Sequence, residues 1–268
     1  MELDNIIYPG FNKTLSELNA ISKIKKKSCE IVDLTEIEWV RDVLRHRVEE
    51  VGTYDINFRK PTDEEIKSVS EIVGADINID ELKNNFHKNK RIIGITSGKG
   101  GVGKSTITSL LGIAFDELGK KVGIMDSDIW GYSVPKILGA KFPPIPFNER
   151  IFPSRINNLN VISMDYFVKQ DEAVIWRGPM LHKAIEQFLF EVLWHDIDVL
   201  LIDMPPGTGD VSISLSQFLK YFENIVVTTP QTNATIVAER SGIMSKKVNA
   251  SIIGCLLYTS DAADELSC

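Results

Sequence analysis

Cysteine is scarce in this chain, and its scarcity restricts the kinds of fold and site that the sequence can encode. Only Cys29, Cys255 and Cys268 occur among 268 residues, and no two of them are close enough to suggest a disulfide framework or a zinc knuckle. The four histidines are scattered and show no metal-ligand spacing. The sequence therefore predicts neither a disulfide-stabilised protein nor a zinc protein.

Long hydrophobic runs and an excess of positive charge are also missing. No apolar stretch approaches the roughly 20 residues that a membrane-spanning helix requires, and Met1–Asp4 does not resemble the start of a signal peptide. Lysine and arginine total 30 against 37 aspartate and glutamate residues, which gives a net charge of −7. This balance argues against a chain that binds nucleic acid. We therefore expect a cytoplasmic protein with neither a membrane nor a nucleic acid as its partner.

Short apolar runs alternate with helix-like stretches from Arg91 onward. Val199–Ile202 is continuously apolar, which is typical of a strand buried on both faces of a sheet. Helical periodicity occurs in Ser105–Leu118 and again between Leu181 and Val192. This alternation predicts an α/β fold with a mainly parallel sheet and helices on both faces.

The first ninety residues have a different character. Ala20–Lys27 and Thr53–Phe58 resemble strands on either side of a helix, Thr35–Val51, whereas the residues after Pro61 are charged and only weakly periodic. The prediction comprises three segments: a small α+β domain over residues 1–60, a linker over 61–90, and a larger α/β domain over 91–254.

The larger predicted domain contains a phosphate-binding motif. Gly98–Ser105 fits the pattern G-x-x-x-x-G-K-[ST] and lies between a predicted strand and a predicted helix. Its glycines allow consecutive N–H groups to face one anion, and the following helix adds its positive N-terminal end. We expect Lys104 to contact the β and γ phosphates of ATP and the Ser105 hydroxyl to bind Mg²⁺. The residues predicted to bind the nucleotide are Gly98, Lys99, Gly100, Gly101, Val102, Gly103, Lys104, Ser105 and Thr106.

Three aspartates follow predicted strands, at the edge where α/β proteins place their chemistry. Asp203 ends the run Val199–Ile202, in the position of an aspartate that holds Mg²⁺ through water. Asp126 and Asp128 follow the apolar run Val122–Met125, and their spacing allows both carboxylates to face Mg²⁺ or the attacking water. We expect Asp126 to support the Mg²⁺ site and Asp128 to orient the water. An aspartate at a strand end can alternatively cap the next helix.

A second lysine distinguishes this motif from an ordinary phosphate loop. The segment Gly98–Thr106, with Lys99 directly after its first glycine, resembles the deviant Walker A signature of the family that contains MinD, ParA, nitrogenase iron protein and Mrp. The resemblance implies that Lys99 reaches across a homodimer interface to the partner's nucleotide. It therefore implies a P-loop NTPase fold and a Mg-dependent ATPase whose catalytic residues are Lys99, Lys104 and Asp128.

Further segments resemble the Mrp branch of that family in order and spacing: Met125–Pro135, Trp176–Met180, Asp203–Asp210 and Val226–Gln231. The segment Tyr8–Ile21 resembles the opening of the small iron–sulfur-assembly domain of bacterial Mrp proteins, but the Cys-Pro motif expected of that domain is missing. The resemblance implies an ATP-hydrolysing carrier that receives iron–sulfur clusters from an assembly scaffold and transfers them to apoproteins.

The carboxyl-terminal residues depart from the Mrp pattern. Members of that family continue past the segment ending near Gly254 with a C-x-x-C pair, which binds a cluster shared by two subunits. Here Cys255–Glu265 follows instead, and it resembles the translation of a sequencing adaptor. We therefore expect residues 255–268 to be a non-native tail on a truncated chain, and we expect no iron–sulfur ligand in this chain.

Two other interpretations of the motifs are open at this point. A MinD- or ParA-like ATP-dependent positioning switch would be favoured by an amphipathic carboxyl-terminal helix or by a basic surface for DNA, and neither is evident in the sequence. A truncated fragment could instead bind nucleotide without turnover. Size-exclusion chromatography with ATP and an assay of phosphate release would distinguish that fragment from an ATPase.

Overall fold

The computed structural model describes residues 3–25, 28–88, 90–129, 131, 133–167, 178–194, 196–207, 209–248 and 250–258, with backbone only at residues 25 and 232–237. The chain folds as two units. The first comprises Met1–Ile79 and Pro144–Pro153, and the second comprises Asp80–Pro143 and Ser154–Cys268. None of the described helices is long and apolar enough to cross a membrane.

The described residues form fourteen strands, which are β1 (Ile7–Tyr8), β2 (Lys13–Thr14), β3 (Ile21–Lys25), β4 (Ser28–Val32), β5 (Asp55–Arg59), β6 (Arg91–Ser97), β7 (Val122–Asp126), β8 (Ile145–Phe147), β9 (Arg150–Phe152), β10 (Ser154–Ile156), β11 (Leu159–Ser163), β12 (Val199–Asp203), β13 (Phe222–Thr228) and β14 (Ala250–Leu257). The α-helices among the same residues are α1 (Glu38–Val51), α2 (Asp63–Ile72), α3 (Ile79–Asn85), α4 (Lys104–Glu117), α5 (Val134–Ile137), α6 (Gly178–Phe190), α7 (Asp210–Phe218) and α8 (Thr232–Lys247).

The second unit is built on a seven-stranded sheet in the order β10-β11-β7-β12-β6-β13-β14. Its edge strand β10 runs antiparallel to β11, and the other pairs are parallel. Helix α4 connects β6 to β7 and helix α8 connects β13 to β14, in opposite directions along the sheet, so right-handed crossovers place the two helices on opposite faces. The predicted α/β fold with a mainly parallel sheet is therefore confirmed.

Strand β12 occupies the middle of this sheet. All five of its residues are buried, and Leu201 lies in the hydrophobic core with Ile95 and Ile124 from the two flanking strands. In the register of β12 with β7, Asp203 lies opposite Asp126. Both aspartates are the last residues of their strands. The sequence instead predicts that each strand ends one residue earlier, with the aspartate directly after it. The sheet itself therefore brings the two residues to the same edge.

The first unit has a three-stranded sheet in the order β3-β4-β5, with β3 antiparallel and β5 parallel to β4. Helix α1 follows β4 and buries Val40 and Leu44 on one face. Strand β3 lies within the predicted strand Ala20–Lys27, but the sequence does not predict β4, which begins at Ser28. The residues from Lys25 to Ser28 include no glycine, proline or asparagine, so the sequence carries no turn signal there.

The hairpin β8–β9 also belongs to the first unit, although its sequence lies between two segments of the second. Phe11 packs against Phe147 and Phe152, with ring-centroid distances of 5.1 Å and 4.3 Å. The buried guanidinium of Arg150 donates a hydrogen bond to the carbonyl oxygen of Ile77. The sequence does not predict this hairpin, because the residues that cover its apolar side chains lie far away along the chain.

Residues 61–90, which the sequence predicts as a linker, contain α2 and α3. Thr62 and Glu65 form a capping box at the start of α2, in which each side chain bonds the other residue's backbone N–H. Helix α2 lies in the first unit, and α3 lies in the second from Asp80 onward. The domain boundaries at residues 60, 90 and 254 stay predictions.

Strand β14 continues past Gly254. It pairs in parallel with β13 to its end, and the N–H of Tyr258 then donates to the carbonyl oxygen of Thr228 at 2.8 Å. Residues 259–268 lie outside the described residues. The interpretation of residues 255–268 as a non-native tail stays a prediction, and the first of these residues extend the edge strand.

Candidate nucleotide site

A glycine-rich loop joins the end of β6 to the start of α4. Gly101 and Gly103 have φ angles of 77° and 81°, in the left-handed region that glycine adopts without strain. A Cβ atom at Gly103 would also lie 2.7 Å from the ring of Tyr258. Because α4 begins at Lys104, the unpaired N–H groups of its first turn belong to the predicted phosphate-binding residues. The loop therefore has the backbone of an anion site.

An open cleft of about 410 Å³ lies over this loop. Lys99, Lys104, Ser105, Thr106 and Asp128 are among the residues that line it. Its volume falls within the range of small-molecule sites, roughly 300–1,000 Å³. The cleft therefore offers space for a nucleotide beside the residues that the sequence predicts to bind one.

Two of the predicted nucleotide-binding residues contribute differently from the rest. The side chain of Val102 packs into the hydrophobic core, so only its backbone is available to a ligand. Lys99 is exposed to solvent, and its carbonyl oxygen accepts a hydrogen bond from Ser97 Oγ at 2.9 Å. This bond fixes the backbone at Lys99 and leaves the ammonium group on the surface.

The ammonium group of Lys104 lies between two carboxylates. Its Nζ atom is 2.8 Å from Asp203 Oδ1 and 3.3 Å from Asp128 Oδ2. The three side chains are between 0% and 7% exposed. Charges this deeply buried are tolerated only when they are paired and hydrogen-bonded. The positive charge of Lys104 therefore compensates the negative charges of the two carboxylates at the base of the cleft.

Asp203 is the residue on which the other groups converge. Its Oδ2 atom accepts a hydrogen bond from Ser105 Oγ at 2.5 Å, and its Oδ1 atom lies 3.0 Å from Thr108 Oγ1. The Ser127 hydroxyl donates to its backbone carbonyl oxygen at 2.7 Å. The sequence predicts neither Thr108 nor Ser127 as a site residue. A threonine one helical turn after Lys104 is a signal that could have identified the first of them.

Asp126 lies one strand away from Asp203 and is fully buried. Its carboxylate accepts hydrogen bonds from Ser163 Oγ at 3.0 Å and from the backbone N–H groups of Asp128 and Val134 at 3.3 Å each. Ser163 occupies the matching register position on β11. The sequence predicts no strand in that region, so it gives no signal for Ser163.

Burial controls the protonation of both strand-end aspartates. It raises the pKa of the Asp126 carboxyl, and the negative charge of Asp203 raises that pKa further. Burial also raises the pKa of Asp203, while the ammonium group of Lys104 opposes the shift. A nearby divalent cation would favour the ionised form of both carboxylates. Buried carboxyl groups whose pKa is shifted by burial and by a specific charged neighbour are a common feature of functional sites.

The donor atoms at this edge fit a hard cation such as Mg²⁺. Ser105 and Asp203 present oxygen atoms that lie 2.5 Å apart, and Asp126 adds a second carboxylate on the next strand. Mg²⁺ is usually bound through one or two carboxylates together with substrate phosphates and water. Among the described residues, no group of three or more His, Cys, Asp or Glu side chains could hold a metal ion.

Neither Cys29 nor Cys255 is among the residues that line this cleft. Cys29 is buried on β4, where burial raises the pKa of its thiol, and Cys255 is exposed on β14. Several residues of the sequence motifs fall outside the described residues: Trp130, Tyr132, Trp176, Arg177, Thr208 and Cys268.

Comparison with known proteins places the chain in a family. A family model in the ParA group, described as NUBPL iron-transfer P-loop NTPase, matches residues 88–260. The chain belongs to this family. The part of the chain that matches the NTPase model includes the glycine-rich loop, α4, Asp126 and Asp203.

Two curated relatives in this family are named iron–sulfur cluster carrier protein. The Helicobacter pylori protein is 35% identical over 263 residues, which cover 94% of this chain and 69% of the relative. The Mycobacterium leprae protein is 46% identical over 164 residues, which cover 61% of this chain and 43% of the relative. The chain therefore spans less than half the length of the mycobacterial relative that it matches.

A solved structure has the same fold. The nucleotide-binding protein of Archaeoglobus fulgidus, solved in complex with ADP, is 31% identical to this chain with a TM-score of 0.56. The match covers 68% of this chain and 71% of the archaeal protein. The resemblance to the P-loop NTPase family of MinD, ParA and Mrp is confirmed.

Proposed function

We propose that this NTPase is an ATP-hydrolysing iron–sulfur cluster carrier that works as a homodimer. One observation carries the nucleotide part of the proposal: Lys104 and Ser105, at the end of a glycine-rich loop, both bond the buried carboxylate of Asp203. This arrangement suits nucleotide phosphates accompanied by Mg²⁺. The names of the relatives and of the family model point to iron–sulfur clusters as the cargo.

These names also favour a carrier over a positioning switch. As a carrier, the protein would receive clusters from an assembly scaffold in the cytoplasm and transfer them to apoproteins. The cluster is cargo in this proposal, so its ligands need to hold it only until transfer. ATP binding and hydrolysis would drive the changes between the two steps.

Phosphate binding requires Lys104 to exchange partners. Its ammonium group turns from Asp203 and Asp128 to the β and γ phosphates, while the N–H groups of the loop surround the same oxygens. Mg²⁺, when bound, neutralises charge on the phosphate oxygens. Ser105 would contribute its hydroxyl to the metal site, and Asp203 would accept hydrogen bonds from metal-bound water.

Asp128 and Lys99 complete the proposed catalytic residues. Asp128 lines the cleft with its carboxylate 3.3 Å from Lys104 Nζ, and this carboxylate can accept a hydrogen bond from a water molecule in the cleft. It would orient that water toward the γ phosphate. The exposed Lys99 would add positive charge at the partner's nucleotide.

The two carboxylates that hold Lys104 should respond differently to removal. Asp128→Ala is expected to lower phosphate release by about 10²-fold with little loss of ATP affinity, because it removes a water-orienting group. In Asp203→Ala, the increase in ATP affinity that Mg²⁺ causes is expected to be at least about tenfold smaller, because the variant lacks a residue of the metal's shell. Titration calorimetry with and without Mg²⁺, together with a phosphate-release assay, measures both effects.

A matched control for these variants is Glu117→Gln at the exposed end of α4, which should leave binding and turnover unchanged. Equal losses of ATP affinity in Asp128→Ala and Asp203→Ala would mean that the water-orienting carboxylate is misassigned. Wild-type protein that binds ATP but releases no phosphate would instead favour a nucleotide-binding fragment without turnover.

Cluster binding by the 268-residue chain is expected to be weak. A bridging cluster needs four thiolates, two from each subunit, and in this sequence no two cysteines are close together. Anaerobic reconstitution with iron and sulfide should therefore yield no stoichiometric cluster. A chain that continues past Gly254 with a C-x-x-C segment of the Mrp type should take up a cluster under the same conditions.

Iron and sulfide analysis together with absorption spectroscopy gives the cluster content. The control is Cys255→Ser in the 268-residue chain, which should not change the result. A stoichiometric cluster in the original chain that disappears in Cys255→Ser would contradict the expectation and assign Cys255 as a ligand.

A further inference from the structure

Thr108 lies on the buried face of α4, one helical turn after Lys104. Its hydroxyl oxygen is 3.0 Å from Asp203 Oδ1 and 3.1 Å from the carbonyl oxygen of Lys104. The hydroxyl has a single proton, and a carboxylate attracts it more strongly than a neutral carbonyl does. Thr108 therefore donates its hydrogen bond chiefly to Asp203.

Three side chains hydrogen-bond to the Asp203 carboxylate among the described residues: Lys104, Ser105 and Thr108. The proposed function assigns the first two to phosphate and to Mg²⁺, so both must turn away from Asp203 when a nucleotide binds. Thr108 is fully buried and does not line the cleft, so it has no competing ligand. It is the one of these three donors that can stay with the carboxylate throughout.

A carboxylate that loses two of three hydrogen bonds is free to rotate unless the remaining donor holds it. Asp203 also has Asp126 as its register neighbour, and repulsion between two carboxylates would favour rotation away from the site. Metal ligands bind more tightly when neighbouring groups fix their orientation in advance. A donor that stays in place therefore affects the metal more than it affects the nucleotide.

Threonine is well suited to this position. A threonine in a helix has two favourable χ1 rotamers, and a hydrogen bond from its hydroxyl to the carbonyl four residues earlier selects between them. In Thr108 the rotamer that places the hydroxyl near the carbonyl oxygen of Lys104 also places it 3.0 Å from Asp203 Oδ1. The β-branched side chain therefore has few alternative rotamers that would move its hydroxyl away from Asp203.

We propose that Thr108 is a positioning residue for the proposed magnesium site, whose hydroxyl fixes Asp203 while Lys104 and Ser105 change partners. The inference rests on the proposed nucleotide function. It adds a residue outside the glycine-rich loop motif and assigns it an effect on the metal rather than on the phosphates.

The test compares two variants of neighbouring buried residues on α4. Thr108→Val removes the hydroxyl with almost no change in side-chain shape. Ser109→Ala is the matched control, because the buried Ser109 hydroxyl donates to the carbonyl oxygen of Ser105 at 2.8 Å, a bond that involves no carboxylate. Calorimetry gives the Kd for ATP in Mg²⁺ and in EDTA, and the ratio of the two values reports the contribution of the metal.

In Thr108→Val this ratio is expected to fall about tenfold, which is the effect of losing one hydrogen bond to a charged group. The Kd in EDTA should change little. Thr108→Ser keeps the hydroxyl and should retain most of the wild-type ratio, and Ser109→Ala should retain it as well. Thermal unfolding of each variant establishes that the comparison is between folded proteins.

An unchanged ratio in Thr108→Val would overturn the proposal. Equal weakening of ATP binding in Mg²⁺ and in EDTA would also overturn it, because a purely structural role gives that result. Thr108→Ala removes the same hydroxyl and decides by the same criterion if the valine variant does not fold. Failure of the wild-type chain to bind ATP would refute the proposed function itself, and it would be evident before any variant is compared.

Discussion

Lys104→Ala is expected to abolish measurable ATP binding. The phosphates would lose the cation that the loop supplies, and they would face Asp128 and Asp203 without compensation. Loss of two charge-assisted hydrogen bonds corresponds to a decrease in affinity of at least about 10²-fold. Titration calorimetry with ATP and Mg²⁺ measures the loss directly.

The lysine variant requires a control for folding. Removing one partner of a buried ion pair destabilises a protein by about 3–5 kcal/mol, so thermal unfolding must accompany the binding measurement. Lys104→Met keeps the length of the side chain without its charge and should bind as poorly as the alanine variant. Lys120→Ala, at an exposed position just after α4, should bind like the wild type. Wild-type affinity in a folded Lys104→Met variant would mean that ATP binds elsewhere.

Lys99→Ala is expected to lower ATP turnover by roughly 10³-fold while a single chain still binds ATP. The reason is that Lys99 is exposed on the rim of the cleft, where its charge is available to a second subunit. A cation supplied by a partner acts on the charge that develops during phosphoryl transfer. Phosphate release gives the rate, and size-exclusion chromatography with ATP gives the loss of dimer.

A mixture of two inactive variants tests whether Lys99 acts across the dimer. In a mixed dimer of Lys99→Ala with Lys104→Ala, the first subunit keeps its phosphate-binding lysine and the second supplies an intact Lys99. One of the two sites is then complete, so phosphate release should recover in the mixture. The two variants measured separately are the controls. No recovery in mixed dimers that demonstrably form would show that Lys99 acts within its own chain.

The elements that carry the site are largely predictable from the sequence. Val199–Asp203 is continuously apolar up to its final carboxylate, and such a run can be buried on both faces only inside a sheet. The glycine-rich motif likewise determines where a strand stops and a helix starts. Helix α4 begins at Lys104, one residue before the predicted start. Local patterns of this kind do not depend on distant parts of the chain.

The partners of the site residues are not predictable in the same way. Thr108 meets Asp203 across 95 positions of sequence, and only because β12 inserts between β6 and β7. Ser163 reaches Asp126 through the register of β11 with β7. Both contacts follow from strand order, which apolar periodicity does not determine. The second strand at Ser28 is missed for a different reason, since the sequence from Lys25 to Ser28 contains no glycine, proline or asparagine.

The hairpin at Pro144–Pro153 makes the amino-terminal unit discontinuous along the gene. A fragment that stops at Ile79 would lack the two phenylalanine rings that cover Phe11, and a fragment that starts at Asp80 would carry those rings without their cover. Each half of such a bisection would expose apolar surface and would tend to aggregate. The small unit therefore cannot be transplanted or deleted with a single cut. Any lineage that gained or lost it must also have altered ten residues in the middle of the NTPase coding sequence.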